Sequence, residues 1–312
     1  MMKFTIAIPA YKKEYLEEAI RSVLAQSFAD FELLILDDDS PNDLQSIVCK
    51  FNDKRIRYYR NERNVGALNV VKNWNKCLDL AEGEYIICMG DDDCLCPDAL
   101  TEYSRYIDMY PDCDIFHGAT EMINEESELI NIQEARPGCE SVYSMAWHRL
   151  TRKREQFIGD FLFCTKALRE VGGFYDLPLA WASDDISALR VAMKNGIVNL
   201  SEIVFRYRVN RINITSTGNV HLKLAAIELE KKWYRENLLS DNPLSETDAR
   251  YRYLINLHME GCFRRKIIST CAEGFKSSFF SMLWNIRRYD LCFKDVCIAV
   301  LLGLARKAGV SR

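Results

Sequence analysis

An α/β fold with a mostly parallel central sheet, flanked by helices and followed by a helical C-terminal extension, is predicted by three observations. Short apolar runs alternate with segments of helical period over the first hundred residues. Two of those runs end in dense carboxylate clusters, Asp37-Asp38-Asp39 and Asp91-Asp92-Asp93. Beyond about residue 220 the pattern is helical to the end. Strands that alternate with helices pair in parallel through right-handed crossovers, and ligands then sit beyond the carboxyl ends of the strands.

The elements follow in order. Phe4 to Ile8 is a β-rich run, and after Pro9-Ala10-Tyr11 a helix begins with Leu16, Ala19, Ile20, Val23 and Leu24 on one face. Phe31 to Leu36 is a buried strand, followed by a helix over 44–51, a strand over 56–59 and a helix over 68–80. Glu84 to Met89 is the fourth strand; a helix from Pro97 to about Pro111 and a strand over 113–116 come next. Residues 117–160 show little periodicity. Phe161 to Cys164, the turn Gly172-Gly173-Phe174, a helix over 185–194 and a strand over 203–209 complete the sheet region.

With 312 residues, 48% of them hydrophobic and 28% charged, the chain has enough apolar surface to bury a large core, which excludes disorder. Met1-Met2-Lys3 runs straight into a strand without the charged and apolar regions of a secretory signal. The twelve cysteines are scattered and several lie in apolar runs, as Cys88, Cys164 and Cys297 do, so reduced thiols in a cytoplasmic protein are expected. Cys94-Leu95-Cys96 lacks the paired spacing of a zinc site.

The first strand leads into Pro9-Ala10-Tyr11-Lys12-Lys13 and holds neither glycine-rich phosphate loop, so a diphosphate would not be cradled by glycines. Carboxylates at strand ends offer another device, because Mg²⁺ is commonly held by one or two of them together with substrate phosphates. Three acids directly after an apolar strand repel one another unless a cation compensates them.

Several motifs then occur in a fixed succession: Phe4 to Tyr11, Tyr15-Leu16-Glu17-Glu18-Ala19-Ile20, Ser22 to Phe28, and Phe31 to Ser40. Asn64-Val65-Gly66, Ala81 to Ile86, Asp91-Asp92-Asp93 and Pro97-Asp98-Ala99-Leu100 continue it. In this order they resemble the family-two glycosyltransferases of the GT-A fold, most fully over residues 4–100 and less so over 160–215. The resemblance implies a Rossmann-like sheet over 1–219, with a nucleotide-sugar donor half to about residue 100 and an acceptor half from 101, and leaves 220–312 as the helical extension.

Carried over by residue, it implies that Pro9 and Tyr11 line the nucleobase pocket and that Asp38 accepts a hydrogen bond from the base. Counting back from Pro97 puts Asp92 at the metal, Mn²⁺ or Mg²⁺, and Asp91 beside the ribose and diphosphate, with Asp93 unassigned. Many relatives carry an arginine in an Ala-Arg-Asn segment, where this chain reads Val71-Lys72-Asn73-Trp74-Asn75. Asn73 or Lys72 would substitute, which leaves the nucleotide open, with a UDP-sugar the first candidate. Arg208, in the segment Arg206-Tyr207-Arg208 with Asn213-Ile214-Thr215-Ser216 after it, is expected at the diphosphate.

An acceptor hydroxyl must lose its proton as it attacks the anomeric carbon, and a positioned carboxylate can take it. Ser183-Asp184-Asp185 resembles the family's Glu-Asp segment before a helix; the spacing to Arg190 selects Asp184 as the base, and an alternative register selects Asp185. The helix dipole is expected to keep that carboxylate ionised. Each acidic cluster is also compatible with a capped turn or an ordinary helix start.

The resemblance therefore implies an inverting transfer from a nucleoside-diphosphate sugar to a hydroxyl of a glycan or lipid-linked saccharide. The alternatives are a sugar nucleotidyltransferase, which should show a glycine-rich basic first loop, and a nucleotide-sugar-binding protein without a working base. Residues 220–312 carry 16 Lys and Arg against 10 Asp and Glu. Arg264-Arg265-Lys266, Arg287-Arg288 and Arg306-Lys307, interleaved with Phe279, Phe280, Leu283, Trp284, Leu301 and Leu302, would suit a solvated face or peripheral contact with anionic lipid at the inner face of the plasma membrane. The acidic body and the lack of a recognition motif argue against nucleic acid.

Overall fold

The computed structural model describes residues 2–210, 219–243, 245–274, 289 and 291–307. The described part of residues 1–176 and 183–213 forms one compact unit, and that of 177–182 and 214–312 a second.

The first unit is built on one sheet. Its strands are β1 (Phe4–Ala10), β2 (Phe31–Asp37), β3 (Ile56–Arg60), β4 (Tyr85–Cys88), β5 (Cys94–Leu95), β6 (Ile115–Ile123), β7 (Leu129–Ile132), β8 (Cys139–Glu140), β9 (Phe161–Cys164) and β10 (Ile197–Arg208). They lie in the order β3-β2-β1-β4-β9-β6-β10-β5, with β7 on β6 and β8 on β10. β3, β2, β1 and β4 are mutually parallel, as their alternation with helices predicts. β9 runs antiparallel between β4 and β6, whereas β6 and β10 are parallel.

The helices of this unit are α1 (Leu16–Leu24), α2 (Leu44–Val48), α3 (Val70–Leu80), α4 (Ala99–Met109), α5 (Val142–Leu150), α6 (Thr165–Glu170) and α7 (Ser183–Asn195). α1 buries Leu16, Ala19, Ile20 and Val23, the i, i+3, i+4, i+7 face legible in its sequence. Each large apolar side chain buried this way contributes about 1.5–3 kcal/mol relative to exposure. β2 is buried along its whole length, the condition of a parallel strand covered on both faces.

Two expectations need correction. The strand foreseen at 113–116 continues to Ile123, and residues 117–160 hold β7, β8 and α5. β7 is exposed at every position and β8 is two residues long, so neither prints an alternation in the sequence. β10 starts at Ile197, six residues before the expected 203; register shifts between Asn199 and Phe205 break its period-two pattern.

The second unit contains α8 (Val220–Trp233), a π-helical turn (Tyr234–Leu238), α9 (Glu246–Gly274) and α10 (Phe293–Lys307). Residues 177–182 belong here, although a boundary at 219/220 had assigned them to the first unit. Lys223 Nζ lies 4.6 Å from the Trp181 ring centroid and 2.8 Å from Glu273, so a cation–π contact and an ion pair tie the short segment to α8 and α9. No helix among the described residues is long and apolar enough to cross a membrane.

The basic tail is less free than its composition implies. Arg264 pairs with Asp295 and Lys266 with Glu230, both inside this unit. Phe279, Phe280, Leu283, Trp284, Arg287, Arg288 and the side chains of Arg306 and Lys307 lie outside the described residues, as do Asn213 to Ser216.

Candidate donor and catalytic site

Three loops leave the carboxyl ends of β1, β2 and β4, which are adjacent in the sheet. The β1 loop carries Tyr11 and Lys12, the β2 loop Asp38, and the β4 loop Asp91 to Asp93. Short hydrogen bonds bind them together. Asp38 N donates to Ala10 O at 2.9 Å, and Ser40 Oγ donates to Tyr11 O at 2.6 Å. Asp91 Oδ2 accepts from the backbone amides of Tyr11 at 2.8 Å and Lys12 at 2.7 Å.

Asp38 is buried beside a network of amides. It accepts from Asn61 Nδ2 at 2.8 Å, Asn64 Nδ2 at 3.1 Å and Val65 N at 3.0 Å. Asn61 also donates to Asn73 Oδ1 at 2.9 Å and accepts from Lys76 Nζ at 2.7 Å. Asn73 therefore joins Asp38 through Asn61, and Tyr11 stands open at the mouth with 45% of its surface exposed. Pro9 is half-buried within β1. The structure brings Pro9, Tyr11, Asp38 and Asn73 to one end of the sheet, and it adds Asn61 and Lys76, which no sequence motif had marked.

The Asp91-Asp92-Asp93 turn divides its carboxylates by task. Asp93 closes the turn: it accepts from Gly90 N at 3.2 Å and from Arg208 N at 2.9 Å. Burial, then repulsion from Asp92, pushes its pKa well above the usual carboxylate range. A side chain at position 90 would sit 2.7 Å from Asp93 Oδ2 and 2.8 Å from Asp92 Oδ1, so it would push both carboxylates out of their present positions. Asp92 differs, since its Oδ2 accepts from Lys12 Nζ and Asn210 Nδ2, both at 2.6 Å.

Lys12 is the residue the motif reading passed over. Its ammonium lies 2.6 Å from Asp92 and 3.5 Å from Asp91. Burial alone would lower its pKa, but Asp91 and Asp92 outweigh burial and raise it, so Lys12 is a charged group facing the triplet. The signal was a lysine directly after Pro9-Ala10-Tyr11.

Arg208 does not serve as a diphosphate ligand here, contrary to expectation. Its side chain is wholly buried. Nε donates to Asp92 O at 2.8 Å, Nη1 to Asn124 O at 3.0 Å and Ser127 Oγ at 2.9 Å, and Nη2 to Glu18 at 2.7 Å. The guanidinium also lies 4.2 Å from the Tyr15 ring centroid. Because its donors are spent on the protein, Arg208 ties β10 to the triplet's backbone. Arg208→Leu should cost about 1–3 kcal/mol, because the carbonyls of Asp92 and Asn124 lose their buried donor, and lower donor affinity with it. A denaturation midpoint equal to that of the unchanged chain would contradict this clamp.

Among the described residues no group of three or more His, Cys, Asp or Glu is arranged to hold a metal ion. Asp91 and Asp93 accept from backbone amides and Asp92 Oδ2 accepts from Lys12 and Asn210, so a divalent cation at Asp92 would take its other oxygen or displace the Lys12 ammonium. One hard oxygen ligand plus phosphate oxygens of a substrate is a normal Mg²⁺ environment, so a single Asp92 oxygen is compatible with such an ion.

Asp184 and Asp185 open α7 but face different surroundings. Asp185 is fully buried and held by Arg149 Nε at 2.7 and 2.8 Å and by Gln156 Nε2 at 2.6 Å. Asp184 is half-buried, and its Oδ1 accepts from Asp185 N at 2.9 Å. Burial first, then the neighbouring Asp185, pushes the Asp184 pKa up to about 8, against the opposing pull of Arg149. The expected dipole effect is overridden, because a terminal dipole contributes only about 0.3–1 kcal/mol. Of the two registers, the geometry leaves Asp184 the more accessible.

A mixed Rossmann-like sheet with a parallel β3-β2-β1-β4 half and carboxylates at the ends of adjacent strands, in place of glycine phosphate loops, is the architecture of a GT-A glycosyltransferase. The model of the glycosyl transferase family 2 matches residues 5–176, and the chain belongs to that family. It is 36% identical over 104 residues to the GalNAc(5)-diNAcBac-PP-undecaprenol beta-1,3-glucosyltransferase of Campylobacter jejuni, covering 32% of this chain and 33% of that one. The putative colanic acid biosynthesis glycosyl transferase WcaA of Escherichia coli is 38% identical over 102 residues, 32% of this chain and 36% of its own. The chain thus spans about a third of the length of these two relatives.

A longer match reaches the UDP-Glc:alpha-D-GlcNAc-diphosphoundecaprenol beta-1,3-glucosyltransferase WfgD of Escherichia coli, 26% identical over 81% of this chain and 90% of that protein. Among solved structures, S. aureus TarS residues 1–349 in complex with UDP-GlcNAc shares the fold with a TM-score of 0.65 and 17% identity, over 99% of this chain and 92% of that one.

Proposed function

We propose that this chain transfers a hexosyl group, with inversion, from a UDP-sugar to a hydroxyl of a lipid-linked saccharide in the synthesis of a surface polysaccharide. The observation that carries the reading is the convergence of Tyr11, Asp38, Asp91, Asp92 and Lys12 at the carboxyl ends of three adjacent strands. The activities for which the C. jejuni relative and WfgD are named, both glucosyl transfer to undecaprenol-linked sugars, support the donor and acceptor classes.

In this reading Asp38, held by Asn61, Asn64 and Val65, meets the base, and Tyr11 covers it. Asp91 keeps the β1 loop against the triplet. Lys12 brings a positive charge to the diphosphate, and Asp92 would hold Mn²⁺ or Mg²⁺. Such an ion supplies Lewis-acid stabilisation of the leaving diphosphate. Asp184 takes the acceptor proton during a single displacement, for which a carboxylate titrating near neutral pH is suited.

We place the enzyme in the cytoplasm at the inner membrane face. Its twelve cysteines are unpaired, in keeping with a reducing compartment. Phe293, Leu301 and Leu304 are exposed on α10 and share one helical stripe, which would rest on lipid.

A thermal-shift panel of UDP-, GDP-, dTDP- and CDP-sugars, with and without Mn²⁺, tests the donor assignment. At a hundredfold excess over Kd the right donor stabilises by about 2.7 kcal/mol, and the UDP-sugar with Mn²⁺ should give the largest shift. A panel in which no nucleotide-sugar raises Tm would remove the donor site.

A further inference from the structure

A cavity of ≈ 330 Å³, a size suited to a small ligand, opens between β7 and the segment after α5. Arg136, Arg152, Lys153 and Arg154 line it against two acids, Glu134 and Glu155. Arg136 Nη2 donates to Glu155 O at 2.7 Å, but its Nη1 is buried and has no hydrogen-bond partner. A buried guanidinium nitrogen without an acceptor is costly, and an anion would supply that acceptor. Burial lowers the Arg136 pKa to about 10; Asp160 and Glu140 oppose the lowering, and repulsion from Arg154 and Arg149 adds to it. An entering negative charge would relieve that repulsion.

The backbone turns this edge of the cavity in a particular way. Arg152 N donates to Arg149 O at 3.0 Å and Lys153 N to His148 O at 2.9 Å, the two bonds that close a helix through a left-handed residue. That residue is Arg152, with φ of 57°, where glycine is the low-cost choice. The chain therefore carries an arginine in a strained position beside three other cations.

The cavity wall is linked through Arg149 to the neighbour of the proposed base. Arg149 Nη1 donates to Arg154 O at 3.2 Å, and Arg149 Nε holds Asp185, the neighbour of Asp184. One arginine thus spans from the cavity wall to the residue that raises the base's pKa. In an acceptor whose first sugar is joined to a diphosphate, the reacting hydroxyl and the phosphates are separated by a single ring.

We propose that this cavity binds the diphosphate of the lipid-linked acceptor, with Arg136 Nη1, Arg152 and Lys153 as its donors, while Arg154, which pairs with Glu140, walls its edge. The assignment rests on the acceptor class argued above. It makes the phosphate, and not the sugar alone, a determinant of acceptor choice.

The test uses the full chain, R136Q and the surface variant K153Q, with two acceptors: a synthetic prenyl-diphosphate N-acetylglucosamine and the octyl glycoside of the same sugar. The ratio of kcat/KM for the diphosphate acceptor over the octyl glycoside should fall at least tenfold in each variant. Inorganic pyrophosphate should compete with the diphosphate acceptor, and compete less well in the variants. A ratio equal to that of the unchanged chain in both variants overturns the proposal. Pyrophosphate that binds at Arg136 without competing with the acceptor also overturns it, and marks a site for free anions.

If the unchanged chain transfers no sugar from any donor, the enzymatic reading fails separately. Calorimetric titration of pyrophosphate into the same three proteins then decides the cavity. Binding weakened by R136Q and K153Q supports an anion site, and binding that both leave intact overturns it.

Discussion

Asp184→Asn should reduce sugar transfer by about 10²–10⁴-fold, the usual worth of a general base, while UDP-sugar binding stays as it was. The two carboxylates at the start of α7 predict opposite consequences. Asp185 is buried under Arg149 and Gln156, so Asp185→Asn acts mainly on stability. Because the Asp184 pKa is raised to about 8, the base is protonated at lower pH, and kcat/KM should rise as pH increases through that value. Removing the Asp185 charge removes one cause of the elevation and moves the rising limb toward acid. Undiminished turnover by Asp184→Asn with several acceptors would exclude it as the base; a rate independent of pH between 6 and 9 would exclude the titration.

The second large effect concerns Asp92. Asp92→Asn should slow transfer by on the order of 10²–10³, since metal stabilisation of a leaving diphosphate is worth several kcal/mol and each 1.4 kcal/mol is tenfold in rate. The same substitution should abolish the extra thermal stabilisation that Mn²⁺ gives the UDP-sugar complex. Lys12 remains in place in that variant and would still attract the diphosphate, so donor binding should weaken without vanishing. A Mn²⁺ response that survives Asp92→Asn would move the metal away from this carboxylate.

Lys12 and Arg208 show why charge alone misleads in a linear reading. Both are cations near the triplet. Lys12 presents its ammonium to Asp91 and Asp92, whereas Arg208 turns its guanidinium into the protein and spends it on carbonyls, a hydroxyl and Glu18. A motif records the residue type and its place in the order of elements. Whether the head group meets a ligand depends on which neighbours reach it first, and those neighbours are 81 to 190 positions away in sequence.

The acceptor half was the less legible part for a related reason. β1, β2 and β4 are local, buried and bounded by helices, so hydrophobic period alone reveals them. β7 is exposed throughout and β10 carries register shifts, and their pairing with β6 is what makes them strands. The basic cavity lies in this same stretch, outside every motif.

The amino-acid sequence by itself determined the alternation of strands and helices to about residue 110, the carboxylates at the strand ends and the family they resemble. Those features depend on local periodicity and on the order of short motifs. Only the tertiary structure decided which carboxylate of each cluster is available. Asp93 and Asp185 are held by donors of the protein, Asp92 faces Lys12 and Asn210, and Asp184 is the more open of its pair, because burial and the hydrogen bonds that reach each carboxylate divide chemically identical neighbours.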